Sequence, residues 1–199
     1  MNDDAQLIAQ ALAGQTAAFG QLVQKYQERL FNTLVHVVGN AEDAKDTTQE
    51  AFVQAFLKLE SFQGASAFYT WLYRIAFNVA ATHRRRRASM RAAEQAAMND
   101  GQAGNGTSSS AEAPSERLER EERCRQVRYA ISHLAEEYRV VLVLREMEGY
   151  CYETIAEVLD LPVGTVRSRL HRGRLQLREA LTAVLALPEE AEEQGEGVT

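Results

Sequence analysis

Proline is nearly absent from this chain. Its three prolines, Pro114, Pro162 and Pro188, all lie in the second half, so nothing in the first half forces a helix to break. Cysteine is as scarce. Cys124 and Cys151 are far apart and form no Cys-x-x-Cys pair, which argues against a disulfide framework and a structural zinc site. Cys124 shares a helical face with Val127, Ile131 and Leu134 and reads as a small core residue. Cys151 stands where a helix would start. The four histidines, His36, His83, His133 and His171, lack metal-ligand spacing. No apolar run is long enough to span a membrane. The start, Met1-Asn-Asp-Asp, has neither the basic residues nor the apolar core of a signal peptide. A cytoplasmic protein with no direct membrane insertion is expected. No segment alternates cleanly between apolar and polar, so strands are not expected. There is no phosphate-binding glycine loop of the P-loop type and no nucleophile–base pairing. No enzymatic activity, metal or cofactor is expected.

Net positive charge is also missing. Lys and Arg number 22 against 28 Asp and Glu, a formal charge of −6. A protein that coats nucleic acid by bulk charge would be basic. Any contact with DNA must therefore be local, and the acidic surface calls for a protein partner.

Helical periodicity is present throughout. Phe19, Leu22, Val23, Tyr26, Leu30, Leu34 and Val37 form one apolar stripe, closed by Gly39-Asn40. Ala44, Thr48, Ala51, Phe52, Ala55, Phe56 and Leu59 form a second. Phe68, Trp71, Leu72, Ile75, Ala76, Val79 and Ala80 form a third. Such narrow stripes are stable only when helices bury them together. A short leading helix over about 5–13 covers one end, and Ala88–Met98 is rich enough in helix formers to prolong the third helix. Residues 99–114 are Gly- and Ser-rich and read as a flexible linker, which lets the flanking units move independently. Ser115 is a plausible N-cap for a helix through about Leu134. Further helices are expected over 136–148, 152–159 and about 163–186. The expected fold is all-α: a helical bundle over 1–98, the linker, a second small helical domain over 115–187 and an acidic tail over 188–199.

Three faces carry chemistry. Val163–Arg178 contains five arginines and His171 with no acidic residue between them. It follows a short helix and a tight turn, the pattern of a helix-turn-helix whose second helix enters the major groove. Thr165, Arg167, Ser168, His171 and Arg172 occupy the face opposite Val166, Leu170, Leu177 and Leu181, and suit base edges or phosphates. The third helix carries a second row, Tyr69, Thr70, Tyr73, Arg74, Phe77, Asn78 and Ala81, followed by Arg84–Arg87. Rings stack on unpaired bases and arginines grip phosphates. On the second helix, Glu42, Asp43, Asp46, Gln49, Glu50 and Gln54 form an acidic face suited to a basic protein partner.

Taken together, these features resemble the extracytoplasmic-function (ECF) branch of bacterial RNA polymerase sigma factors. Asp43-Ala-Lys-Asp-Thr-Thr-Gln-Glu-Ala-Phe52 is similar to the family's polymerase-binding segment. Ser61 through Ala76 is similar to its promoter-melting segment, with wording around Phe68–Ala76 like that of the envelope-stress type. Leu134–Arg139, Glu148–Ala156 and Pro162–Arg172 resemble its minus-thirty-five domain. The resemblance implies that Asp46, Gln49, Glu50 and Gln54 bind core RNA polymerase. It implies that the loop from Ser61 to Ala67, including Phe62, Gly64 and Ala65, cradles a flipped minus-ten base. Tyr73, Phe77 and Asn78 would lie beside the melted strand, with Arg84 and Arg85 nearby. Thr165, Arg167, Ser168, His171 and Arg172 would meet the minus-thirty-five duplex. Promoter DNA, core polymerase and an anti-sigma factor are the implied partners.

The competing reading is a stand-alone transcriptional regulator with the same helix-turn-helix and an N-terminal sensor or dimerisation module. The acidic and aromatic faces favour the sigma factor. The sequence departs from the family's usual pattern at four positions. Asp160 replaces a turn glycine, Cys151 a serine N-cap, Ala135 a proline, and Gly173 an alanine at a cost of about 1 kcal/mol in a helix interior.

Overall fold

The computed structural model describes residues 3–97 and 125–185, with side chains over 3–90 and 125–182. The expected linker at 99–114, the Ser115 start, Cys124 and the acidic tail lie outside the described residues. Helix α1 spans Asp3–Leu12, α2 Thr16–Val38, α3 Ala41–Leu57 and α4 Phe68–Ala97. After the gap come helical residues 125–133 (α5), α6 at Glu136–Leu142, α7 at Tyr152–Leu159 and α8 at Val163–Leu185. No strand occurs among the described residues.

The N-terminal bundle follows the expected stripes. Leu22, Leu30 and Leu34 of α2, Ala44, Ala51 and Ala55 of α3, and Leu72 and Ala76 of α4 are fully buried. Small alanines on α3 let its neighbours approach closely, and leucines on α2 and α4 fill the space. Burying each such leucine contributes roughly 1.5–3 kcal/mol. Gly39 ends α2 in the left-handed region, φ +91°, and returns its N–H to the Val35 carbonyl. Asn40 then caps α3 by accepting from the Asp43 N–H at 2.7 Å, so the dipeptide stops one helix and starts the next. Asp4 of α1 pairs with Lys25 at 2.6 Å and ties the leading helix to α2. Helix α4 runs through Ala97, as the Ala88–Met98 composition predicts.

The C-terminal half departs from its expected plan at one helix. Residues 136–148 do not form a uniform α-helix: α6 ends at Leu142 and a π-helical turn continues over Val143–Met147. Val140, Val141, Leu142, Val143 and Leu144 are all buried. Five consecutive buried residues leave no solvent face, because α8 covers one side of this segment and the N-terminal bundle the other. The wide turn adds a residue to the local repeat and rotates the residues after it, presenting Glu148 to α2.

The α7–α8 turn is built as expected. Asp160 takes the left-handed conformation, φ 53° and ψ 52°, which aspartate tolerates better than most residues. Leu161 N–H returns to the Ala156 carbonyl at 2.9 Å, and the Pro162 carbonyl accepts from Thr165 and Val166. Cys151 supplies no side-chain cap to α7; its Sγ lies 3.1 Å from the Thr154 hydroxyl.

Gly173 is corrected. Sequence alone makes it a weak point of α8. In the fold, a Cβ there would lie 3.0 Å from Leu142 Cδ1 and 3.1 Å from Tyr138 Cβ. The missing side chain is what allows α8 to cross α6 this closely. Gly173→Ala gains helix propensity of about 1 kcal/mol but overpacks the crossing by roughly 1–3 kcal/mol. The expected outcome is a net loss of up to about 2 kcal/mol in urea unfolding, where propensity alone would yield a gain.

Candidate polymerase and promoter interfaces

Helix α3 points two different surfaces outward. Asp46, Gln49 and Glu50 are exposed and Gln54 is half-buried. Their order along the helix places them on one outward strip, away from the buried Ala44, Thr48, Ala51 and Ala55. Asp43, counted with the acidic face from sequence, turns inward instead. Its backbone N–H donates to the Asn40 cap, and its carboxylate is held by the Arg87 guanidinium through both oxygens. Glu50 accepts from His83 Nε2 at 2.6 Å at the surface. The strip continues into exposed apolar residues that sequence reasoning did not assign. Val53 is 57% and Leu57 70% exposed, and Phe56 is exposed beside them. The spacing from Asp46 through Glu50 and Val53 to Leu57 was the available signal. The apolar stripe assigned to Phe56 hid it.

The loop after α3 is anchored at both ends. A short 3₁₀ turn covers Leu59–Ser61, and the Ser61 hydroxyl donates to the Lys58 carbonyl at 2.6 Å. Phe62 packs on Trp71 and Phe68, with ring centroids 5.2 and 5.9 Å apart. Gln63, Gly64 and Ala65 form an exposed tip between these anchors, with Gly64 at φ +69°. Of the predicted residues, Ser61, Gly64 and Ala65 face solvent and Phe62 is the half-buried anchor.

The aromatic row of α4 is also corrected. The sequence leaves two readings for Tyr69, Tyr73 and Phe77, a face open to unpaired bases or rings packed under neighbouring helices; in the fold all three are buried, Tyr73 completely. Periodicity places residues on a face but does not say what lies opposite. Here α2 and the C-terminal half cover the row. Tyr26 stacks on Tyr69 at 4.9 Å, Tyr73 stacks on Phe77 at 5.7 Å, and Tyr150 sets its edge on Tyr73 at 5.8 Å. Tyr69 donates to the Tyr73 hydroxyl, which lies 2.7 Å from Thr33 Oγ1. Burial pushes both phenols well above their usual range, so they are neutral hydrogen-bonding groups. Asn78 and Arg74 remain exposed at the edge of the row.

The arginine run does not stand free as a unit. Arg84 pairs with Glu136 of the C-terminal half, Arg87 with Asp43, and Arg85 donates from Nε to the Ala81 carbonyl of its own helix at 3.2 Å. Between α4 and the C-terminal half lies a cavity of about 500 Å³. Its lining includes apolar Phe77, Val140 and Leu161 and polar Asn78, Arg84, Glu137 and Arg169.

Helix α8 sorts its basic residues. Arg169 pairs with Glu137 at 2.9 Å and Arg174 with Glu146 at 2.7 Å, so these two clamp α8 to the preceding helical segment. Arg167, Ser168, His171 and Arg172 are exposed on the other side, and Thr165 is half-buried at the start of the row. Arg167 and Arg172 form no ion pair among the described residues. The buried face holds Val166 and Leu170, with Leu177 and Leu181 partly covered.

No helix among the described residues is long and apolar enough to cross a membrane. Residues 22–90 match the family model described as Sigma-70 region 2, and residues 124–177 the one described as Sigma-70, region 4. RNA polymerase sigma-H factor of Pseudomonas aeruginosa is 42% identical over 92% of this chain and 95% of its own length. The ECF RNA polymerase sigma-E factor of Haemophilus influenzae is 36% identical over 92% and 97%. The corresponding Escherichia coli protein is 38% identical over 86% and 90%. Among solved structures, CnrH in complex with the cytosolic domain of CnrY superposes with a TM-score of 0.63 at 29% identity, covering 92% of this chain and 99% of that one. The sigma factor RpoE bound to the anti-sigma factor NepR, from Bartonella quintana, shares the fold with a TM-score of 0.65 at 21% identity, over 82% of this chain and 96% of that one. The chain belongs to the ECF branch of the sigma-70 family, the initiation factors that direct promoter-specific transcription.

Proposed function

We propose that three faces divide the work of this sigma factor. The α3 strip docks on core RNA polymerase, the α3–α4 loop with the aromatic row of α4 holds the melted minus-ten strand, and the outer face of α8 reads the minus-thirty-five duplex. The N-terminal unit, 1–98, would carry the first two tasks and 115–187 the third. The observation that carries the reading is the separation of charge. Asp46 and Glu50 stand on one surface, Arg167 and Arg172 on another, and Arg169 and Arg174 of α8 are engaged internally by Glu137 and Glu146. The acidic surface repels DNA and suits a basic protein. The exposed Val53 and Leu57 extend it with area that a protein partner can bury. The protein acts in the cytoplasm, where polymerase is, and performs no bond chemistry. A regulatory partner of the anti-sigma class belongs to the same reading, since CnrH is solved with the cytosolic domain of CnrY on it.

Charge reversal at Asp46 and Glu50 together is expected to weaken binding of core polymerase at least several fold in a titration, with helical content and melting temperature unchanged. Equal affinity would remove α3 from the interface. On α8, Arg172→Ala is expected to cost roughly 1–3 kcal/mol on the preferred duplex and to relax preference at one position. Arg169→Ala should instead lower stability and leave base preference intact, because Arg169 is engaged with Glu137. Competition binding against a set of single-position duplex variants separates the two. For strand capture, Phe77→Ala and Asn78→Ala are expected to slow promoter opening more than they weaken the closed complex, as followed by permanganate reactivity of promoter thymines. Opening at wild-type rates would return Phe77 to a purely structural role.

A further inference from the structure

A second cavity, of about 300 Å³, lies between the C-terminal end of α2, the start of α3, the middle of α4 and the start of α6. Its wall carries three arginines, Arg84, Arg87 and Arg139, and two carboxylates, Asp43 and Glu136. Both carboxylates are already engaged, Asp43 by Arg87 through both oxygens and Glu136 by Arg84. Arg139 is the cation left over. It is half-buried and forms no ion pair among the described residues. Its guanidinium donates to the Ser132 carbonyl at 3.2 Å. Burial, and then the charge of Arg84, hold that guanidinium below the usual arginine range.

Two buried polar atoms on the same wall lack a hydrogen-bond partner. One is Arg139 Nε. The other is the hydroxyl of Thr47, a residue only 1% exposed. Both can donate, and a buried donor left without an acceptor is costly. The end of α2 does not meet this need. It lies against Arg139, since a Cβ at Gly39 would sit 3.4 Å from Nη1. A helix terminus, however, offers roughly half an elementary charge, and no α2 carbonyl accepts from Arg139 among the described residues. An unmatched guanidinium and an unmatched hydroxyl on one wall call for an acceptor that carries negative charge.

We propose that this cavity binds a small phosphate-bearing anion, with Arg139 as its principal cationic ligand and Thr47 as its hydroxyl donor. The oxygens of a phosphoryl group can accept two parallel N–H bonds from a guanidinium and another from a hydroxyl. A space of this size between four helices takes inorganic phosphate or a phosphate monoester and shuts out a duplex backbone. The ligand touches α3, α4 and α6 together, so occupancy raises the stability of the folded chain. The site is independent of how the outer faces divide their work between polymerase and promoter.

The test uses the full chain, titrated with inorganic phosphate and, in a second arm, with adenosine monophosphate. Calorimetric titration is expected to show saturable one-site binding, and melting curves a higher melting temperature at saturation. Tighter binding of inorganic phosphate assigns the site to the free anion, and tighter binding of the monoester to a nucleotide-like ligand. Arg139→Gln is expected to abolish saturable binding without lowering the melting temperature of the free chain, because the charge it removes has no partner there. Thr47→Val keeps the shape of the side chain and is expected to weaken binding several fold with the fold intact. It carries the test if Arg139→Gln impairs folding. A melting shift that sodium chloride reproduces at matched ionic strength, no saturable binding of either anion, or wild-type affinity in both variants would overturn the site.

Discussion

The Glu148 side chain has almost no access to water, and a polar group so buried needs hydrogen-bond partners to reach it. Arg29 and Thr33 supply them from a single face of α2, one turn apart. That requirement sets how the two halves meet. Once Glu148 is seated, Tyr150 falls against Tyr73, Glu136 comes within reach of Arg84, and α7 lies along α4. The π-helical turn at Val143–Met147 is part of the same arrangement, since it aims Glu148 at α2 while Val143 and Leu144 stay buried.

Charge is partitioned elsewhere in the chain as well. The total is −6, yet the structure sets acidic residues into three jobs. Asp43, Glu137 and Glu146 neutralise arginines inside or between helices, and Glu136 straps the halves. Asp46 and Glu50 remain outward. Helix α8 shows the same division among cations, with Arg169 and Arg174 turned to packing and Arg167 and Arg172 to solvent. The clamped arginines hold the helix at a fixed angle on α6, and Gly173 allows the close crossing. The exposed row is thereby presented by a rigid element, as base reading requires.

Much of this was legible in the sequence because helices advertise their buried faces locally. The stripes on α2 and α4, the α3 stripe apart from Phe56, the Gly39-Asn40 junction and the left-handed Asp160 are all short-range features, and each appears where the pattern places it. The features that were not legible depend on partners distant in sequence. Glu148 looks like an ordinary helix-terminal acid until Arg29, 119 residues away, is placed beside it. Gly173 looks like a weak residue until Tyr138 and Leu142 are opposite. Tyr73 and Phe77 look exposed because polar Asn78 and Arg74 accompany them, and only tertiary packing distinguishes a covered aromatic row from an open one. Phe56 was assigned to the core on a one-residue ambiguity of the stripe, which concealed the exposed strip running on to Val53 and Leu57.

The proposed division of labour joins a polymerase-docking face to two promoter-reading faces on one chain. Run-off transcription with purified core polymerase on a library of randomised promoters tests it most directly. Initiation is expected from a defined subset of templates sharing two separated elements, and is expected to be lost when the protein is omitted. Initiation that ignores both elements, or none from any template while the protein still binds duplex DNA, would contradict it.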